Sequence, residues 1–279
     1  MRQTQKVMLA FSEATSNELN EILQHGFFKD KKSPNSKSKS KMSLSKQQCS
    51  QTASMKKQQN YGTKQIYEII QQMRLERNAP VDLVGPQKCF NQNTDLQTQR
   101  FQILTSLMLS PQTKDDVTSK CANRLLEFTI NDIANMDEEQ LVKLIYEVNF
   151  NLTKAKRIKD LAQLALSQGM PTTFEETIKI KGVGEKIALI YMHVAFQKVE
   201  GIPIDVNMIR ICNRIPIFKE KSPTKLRKFL ESEFEHKEWG DINQTLVGFG
   251  QQICLPKPKC ELCKLKNFCE YYKINNTSD

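Results

Sequence analysis

From about residue 62 onward, apolar residues in this chain recur every three or four positions and nowhere alternate for long. Ile66, Ile69, Ile70 and Met73 keep that spacing, as do Phe101, Leu104 and Met108. This period places apolar side chains along one stripe of a helix, whereas a half-buried strand needs alternation. Further helical stretches read at 117–128, 137–148, 153–168 and 173–180, each opening near a Ser, Thr, Asp or Asn able to cap a helix. The chain is therefore expected to be all-α, with helices on either side of a cleft. Its 279 residues suffice for one or two domains with a sizeable core. The longest apolar run, 187–196, contains His193 and is far shorter than the roughly 20 residues of a membrane helix. A membrane protein is excluded on this reading, and the N-terminus lacks the apolar run of a secretory signal.

Charge gathers at one end. Of the net +10, residues 1–60 carry +7, and within 29–60 only Met42, Leu44, Cys49, Ala53 and Met55 are apolar. A Lys/Ser/Gln segment of this kind cannot bury enough surface to offset the entropy of ordering it. Residues 1–61 are expected to be a disordered basic tail. Its lysine clusters fit a nuclear signal better than a mitochondrial presequence, since Arg2 is its only arginine and Glu13, Glu18 and Glu21 come early. Nucleus is the expected compartment, with the mitochondrion as the alternative.

Three constellations carry chemistry. In Lys181-Gly182-Val183-Gly184-Glu185-Lys186, two glycines flank a valine between helices. Glycines permit a tight turn and close backbone approach, and the amides of the following helix end can bind a phosphate. The same residues would serve as an ordinary corner between two helices. In Pro203-Ile204-Asp205-Val206-Asn207, Asp205 precedes a helical run and reads first as its N-cap. The hydrogen bonds of a cap would also keep it ionised, as a catalytic carboxylate near a cation must be. Finally, Cys254, Cys260, Cys263 and Cys269 place four thiols within sixteen residues. They suit an iron–sulfur cluster or a structural zinc, and spacing alone does not separate the two. Disulfides are disfavoured in an intracellular chain. Cys49, Cys89, Cys121 and Cys212 are scattered and need no such role.

Together these elements resemble the endonuclease III family of DNA glycosylases, within the helix–hairpin–helix superfamily, from about Tyr67 to Tyr272. The likeness is closest to the eukaryotic branch, through Arg77-Asn78-Ala79-Pro80-Val81-Asp82, the segment from Leu107 to Asp115 that holds Ser110-Pro111-Gln112-Thr113, and Val247-Gly248-Phe249-Gly250-Gln251-Gln252. The resemblance implies two helical lobes flanking a DNA-binding cleft: a six-helix barrel with the hairpin at 93–198, and an iron–sulfur cluster lobe built from 62–92 and 199–279. It makes Lys186 the catalytic lysine, Asp205 the catalytic aspartate and the four cysteines the ligands of a [4Fe–4S] cluster. Gln112 and Phe150 would enter the duplex, Gly182, Val183 and Gly184 would hold a phosphate, and Lys181, Lys257 and Lys259 would add contacts.

The implied activity is that of a bifunctional glycosylase and AP lyase, a monomer acting on double-stranded DNA with damaged bases. It would remove oxidised pyrimidines and cut the strand through a lysine Schiff base. A catalytically silent DNA-binding relative, or the same chemistry on another base such as methylated cytosine, is the alternative. The sequence departs from the family pattern in four places. The first cysteine gap is one residue short, Lys181 replaces a proline, Asn207 a histidine, and Asn149 a glycine in the loop that wedges the duplex.

Overall fold

The structure, a computed structural model, describes residues 61–276. Apart from Tyr61, the basic tail expected at 1–61 lies outside these residues, and with it Cys49 and the lysine clusters of the nuclear signal. Tyr61 itself packs edge-on against Phe268, with ring centroids 4.3 Å apart. The described residues are helical and contain no strand, as the apolar period requires.

Thirteen α-helices are described: α1 Thr63–Gln72, α2 Pro80–Leu83, α3 Leu96–Leu109, α4 Asp115–Leu125, α5 Ile130–Asn135, α6 Glu138–Leu144, α7 Asn151–Gln168, α8 Phe174–Thr177, α9 Glu185–Phe196, α10 Val206–Arg214, α11 Pro223–Glu233, α12 Trp239–Gln252 and α13 Glu270–Asn276. They enclose two hydrophobic cores. The first lies around α3, which is buried from Phe101 through Leu109, and takes its other members from α4, α5, α6, α7 and α9. Buried on every face there, with polar Gln102, Thr105 and Ser106 included, α3 sits at the centre of its lobe. The second core surrounds α12 and is built from α1, α2, α10, α11 and the cysteine segment. The described residues thus begin in the second lobe, cross to build the first, and return through 199–205.

Three expected helices end early in the structure, the stretch read as 117–128 stopping at Leu125. The stretch read as 137–148 is helical only to Leu144, although Leu141, Ile145 and Val148 are all buried. A tight turn closed by the Val148 amide on the Ile145 carbonyl, 3.1 Å, keeps the apolar spacing while the chain reverses. The stretch read as 173–180 is a single turn, after which Lys179 and Ile180 bond three residues back and lead into the glycine turn. Of the four stretches expected to open on a capping side chain only α8 does, at Thr173; α4, α6 and α7 start at Lys114, Asp137 and Phe150 without one. Asp205 caps α10 as expected, and Asp95, Thr129 and Ser222 cap α3, α5 and α11.

The motifs at 77–82 and 247–252 meet in the second lobe. Arg74 and Asp82 form an ion pair that is almost wholly buried. Asp82 also accepts from Gln244 at 3.1 Å and from the Ala79 amide at 2.9 Å. A Cβ on Gly248 would lie 2.1 Å from the Arg74 guanidinium, and one on Gly250 would lie 2.8 Å from Asn207 Cβ. Glycine at these positions lets a buried arginine and the start of α10 pack flush against α12.

Candidate active site and DNA interface

The glycine turn is a hairpin in the structure. Gly182 takes φ +94°, and a Cβ there would meet Arg157 Cδ at 2.6 Å. Val183 is buried and anchors the turn in the first core, while Lys181, Gly182 and Gly184 face solvent. Gly184 is the N-cap of α9 and supplies no side chain to its first-turn amides. A Cβ on Gly184 would meet nothing within 4 Å. The hairpin therefore offers open backbone N–H groups at a helix N-terminus, where an anion binds favourably.

Lys186 stands in the first turn of α9, two residues past the hairpin, and Asp205 caps α10 across the cleft. Their side chains meet, with Nζ 3.3 Å from Oδ2. Asp205 carries both readings made of it from sequence. Oδ1 accepts from the Asn207 amide at 2.6 Å and from the Met208 amide at 3.4 Å, while Oδ2 faces Lys186. The lysine side chain is 39% exposed and the aspartate 11%, so the amine is reachable from the cleft and the carboxylate is sheltered. Asn207, where a histidine is usual, donates to Asp205 Oδ2 at 3.4 Å and accepts from Arg210 at 2.7 Å. Arg210 in turn bonds the Gly250 carbonyl at 3.0 Å. Asn207 thus belongs to a polar chain that braces the aspartate.

A cavity of about 720 Å³ opens beside this pair, with Gln112, Gly182, Gly184, Lys186 and Asp205 on its walls. Phe150, Lys181, Val183, Lys257 and Lys259 lie outside it. Asp115 also lines the cavity; sequence reasoning quoted it only as the end of the 107–115 motif and gave it no role. Burial pushes the Asp115 carboxyl above the usual carboxylate range; Lys186 pulls it down and Asp205 pushes it up. It accepts from Gln251 Nε2 at 2.7 Å, and Gln251 Oε1 accepts from the Val81 amide at 2.9 Å. Those partners lie 136 and 170 residues apart in sequence, so only the family motifs hinted at them.

Gln112 and Phe150 are both exposed, and both adopt left-handed backbone, φ +57° and +59°. Only Arg77 and Gln197 share that conformation among the non-glycine described residues. Such strain in a side chain at a loop tip is characteristic of sites that act on a ligand.

The four cysteines line one small, largely apolar cavity with Arg214, Pro258 and Tyr271. Arg214 lies over the Tyr271 ring at 4.3 Å, and its NH1 is 3.6 Å from Cys254 Sγ. Burial chiefly, and mutual repulsion after it, push the Cys260, Cys263 and Cys269 thiols up, Cys263 to about 11. Among the described residues no group of three or more His, Cys, Asp or Glu side chains is arranged to hold a metal ion. The shortened loop after Cys254 is firmly seated. Arg210 Nε bonds the Cys254 carbonyl at 3.0 Å, Arg214 the Pro256 carbonyl at 2.7 Å, and the Lys259 amide the Ile253 carbonyl at 2.9 Å. Lys257, Lys259 and Lys264 project to solvent from this loop, and Lys266 is half-buried.

The two-lobed helical fold, the hairpin and the cleft define the helix–hairpin–helix class of base excision DNA repair proteins, and residues 105–236 match the family model described as HhH-GPD superfamily base excision DNA repair protein. Endonuclease III-like protein 1 of Gallus gallus is 40% identical over 213 residues, spanning 74% of this chain and 76% of that protein. The endonuclease III homolog of Encephalitozoon cuniculi is 35% identical over 220 residues, spanning 73% and 92%. A solved endonuclease III trapped as a covalent intermediate on DNA shares the fold, with a TM-score of 0.65 at 23% identity, covering 77% of this chain and 99% of that one. The chain belongs to the endonuclease III family and is an enzyme of the DNA glycosylase class.

Proposed function

We propose that the chain is a bifunctional DNA N-glycosylase and AP lyase that removes oxidised pyrimidines from duplex DNA. The observation that carries this reading is the 3.3 Å approach of Lys186 Nζ to Asp205 Oδ2 at the wall of a cleft beside the hairpin. An amine is the group that can replace a base at a sugar carbon and remain bonded to it, and only as the free base. Asp205 Oδ2 is the base within reach of its proton.

The target nucleotide leaves the stack at a cost of a few kcal/mol, lowest for a damaged base. Gln112 and Phe150 fill the space, and the amides around Gly184 hold a backbone phosphate without reading sequence. Lys186 Nζ bonds to C1′ as the base departs with the glycosidic electron pair. Asp115, a carboxyl on the wall of the same cavity, is the proton source for that base. Asp205, having passed the lysine's first proton to solvent, takes one from the substituted amine and delivers it to the ring oxygen O4′ as the nitrogen lone pair opens the sugar. Its carboxylate then stabilises the Schiff-base cation. The Schiff base acidifies C2′; loss of that proton expels the 3′ phosphate, and water releases the lysine. Lys181, Lys257 and Lys259 add backbone contacts.

Cys254, Cys260, Cys263 and Cys269 would hold a [4Fe–4S] cluster, whose iron–thiolate bonds would fasten the loop carrying Lys257 and Lys259. We place the enzyme in the nucleus, as a monomer. The purified protein should be brown, with about four irons and four sulfides per chain; a colourless protein with one zinc refutes the cluster.

Borohydride trapping tests the chemistry. The full chain should become covalently fixed to a duplex containing thymine glycol or an abasic site, and Lys186→Ala should abolish the adduct. Asp115→Asn should slow trapping on thymine glycol while sparing the abasic duplex, where no base remains to be protonated. Absence of any wild-type adduct on the abasic duplex would leave a DNA-binding protein without this activity.

A further inference from the structure

The turn that carries Gln112 and the turn that carries Phe150 belong to different segments, yet a continuous set of hydrogen bonds joins them. The Asn149 side-chain amide donates to the Gln112 carbonyl, and the Asn149 backbone amide to Thr113 Oγ1 at 3.3 Å. From beneath, the buried Lys154 ammonium donates to the carbonyls of Leu109 and Pro111, at 2.6 and 2.8 Å, and to Thr113 Oγ1 at 3.3 Å. Lys154 sits in the first turn of α7, and its own amide bonds the Phe150 carbonyl at 2.9 Å. Two of these Lys154 bonds therefore close carbonyls at the end of α3 and just past it, the third reaches the Thr113 hydroxyl, and together they tie this turn to the start of α7.

We infer that Asn149, Thr113 and Lys154 are positioning residues that lock the two turns together, so that Gln112 and Phe150 meet the duplex as one preformed, two-pronged wedge. This rests on the reading above that both side chains enter the DNA. The left-handed backbone at both tips explains why a lock is useful: a lone turn would relax to commoner conformations, and DNA would then have to restore the strained one on binding. Asn149 is also where the sequence departs from the family's glycine. Glycine has no side chain to reach the Gln112 carbonyl, so this half of the lock belongs to this chain.

The test uses the full-length protein and a duplex containing a tetrahydrofuran abasic analogue opposite 2-aminopurine, whose fluorescence rises when it is unstacked. The analogue cannot be cleaved, so the signal reports wedge insertion apart from catalysis. Gln112→Ala and Phe150→Ala should each lower the rise, and their effects should be strongly non-additive when combined. In an Asn149→Asp background, which keeps the shape but loses the donor, the rise should fall about fivefold and the two effects should become additive. Asn149→Ala should behave alike, which removes the aspartate's charge as the cause. Asn149 is exposed, so an unchanged apparent Tm is expected for both variants. Unchanged fluorescence and coupling in both would overturn the lock while sparing the wedge. If neither Gln112→Ala nor Phe150→Ala alters the signal, the wedge reading fails and the lock falls with it.

Discussion

Asp205 uses its two carboxylate oxygens differently, one to cap α10 and one to face Lys186. Substitution can separate the two roles. Asparagine caps a helix about as well as aspartate but brings no negative charge to the cleft. Asp205→Asn should therefore leave thermal stability nearly unchanged while lowering single-turnover base excision by about 10²- to 10³-fold. Asp205→Ala should lose about 1 kcal/mol of stability as well. Equal loss of stability in both variants, measured by thermal melting, would mean that charge rather than capping holds this helix end. Asp115 illustrates the opposite situation. Nothing local marks it, because its environment comes from Gln251, Lys186 and Asp205, which approach only after folding.

The α12 helix shows how a whole element is shaped by what packs on it. Gly248 and Gly250 lie on faces where Arg74 and Asn207 approach too closely for any side chain. Arg74 is fully buried and paired with Asp82, so it cannot swing to solvent to accommodate a methyl group. Gly248→Ala should separate that pair and destabilise the protein by about 3–5 kcal/mol, as breaking a buried ion pair does. Chemical denaturation should register a lower midpoint; a loss below 1 kcal/mol would show that the arginine can move after all. The α7 helix has a comparable reach, since Lys154 near its start underlies the Gln112 turn and Arg157, one turn on, packs beneath Gly182. The helical stretches themselves were legible from apolar spacing. Their ends at 144 and 177 were not, because a tight turn can bury Ile145 and Val148 as a helix would.

At the scale of the molecule, the folded part presents lysines from two separated places, Lys181 on the hairpin and Lys257 and Lys259 on the cysteine loop. All three are exposed and none lines the cavity that holds Lys186. If they touch backbone phosphates, replacing all three by alanine should make the dependence of log K on log salt shallower by about three. An unchanged slope in binding titrations would class them as solvated surface. The sequence by itself determined the all-α class, the tight hairpin and the concentration of four thiols, because helical period, glycine turns and short ligand spacings are properties of neighbouring residues. Only the tertiary structure decided that Asp205 turns its second oxygen to Lys186, that Asp115 joins them, and that Asn149 bonds across to Gln112. These contacts span 19 to 136 residues of chain, and such distances are closed by the packing of two cores rather than by any local preference.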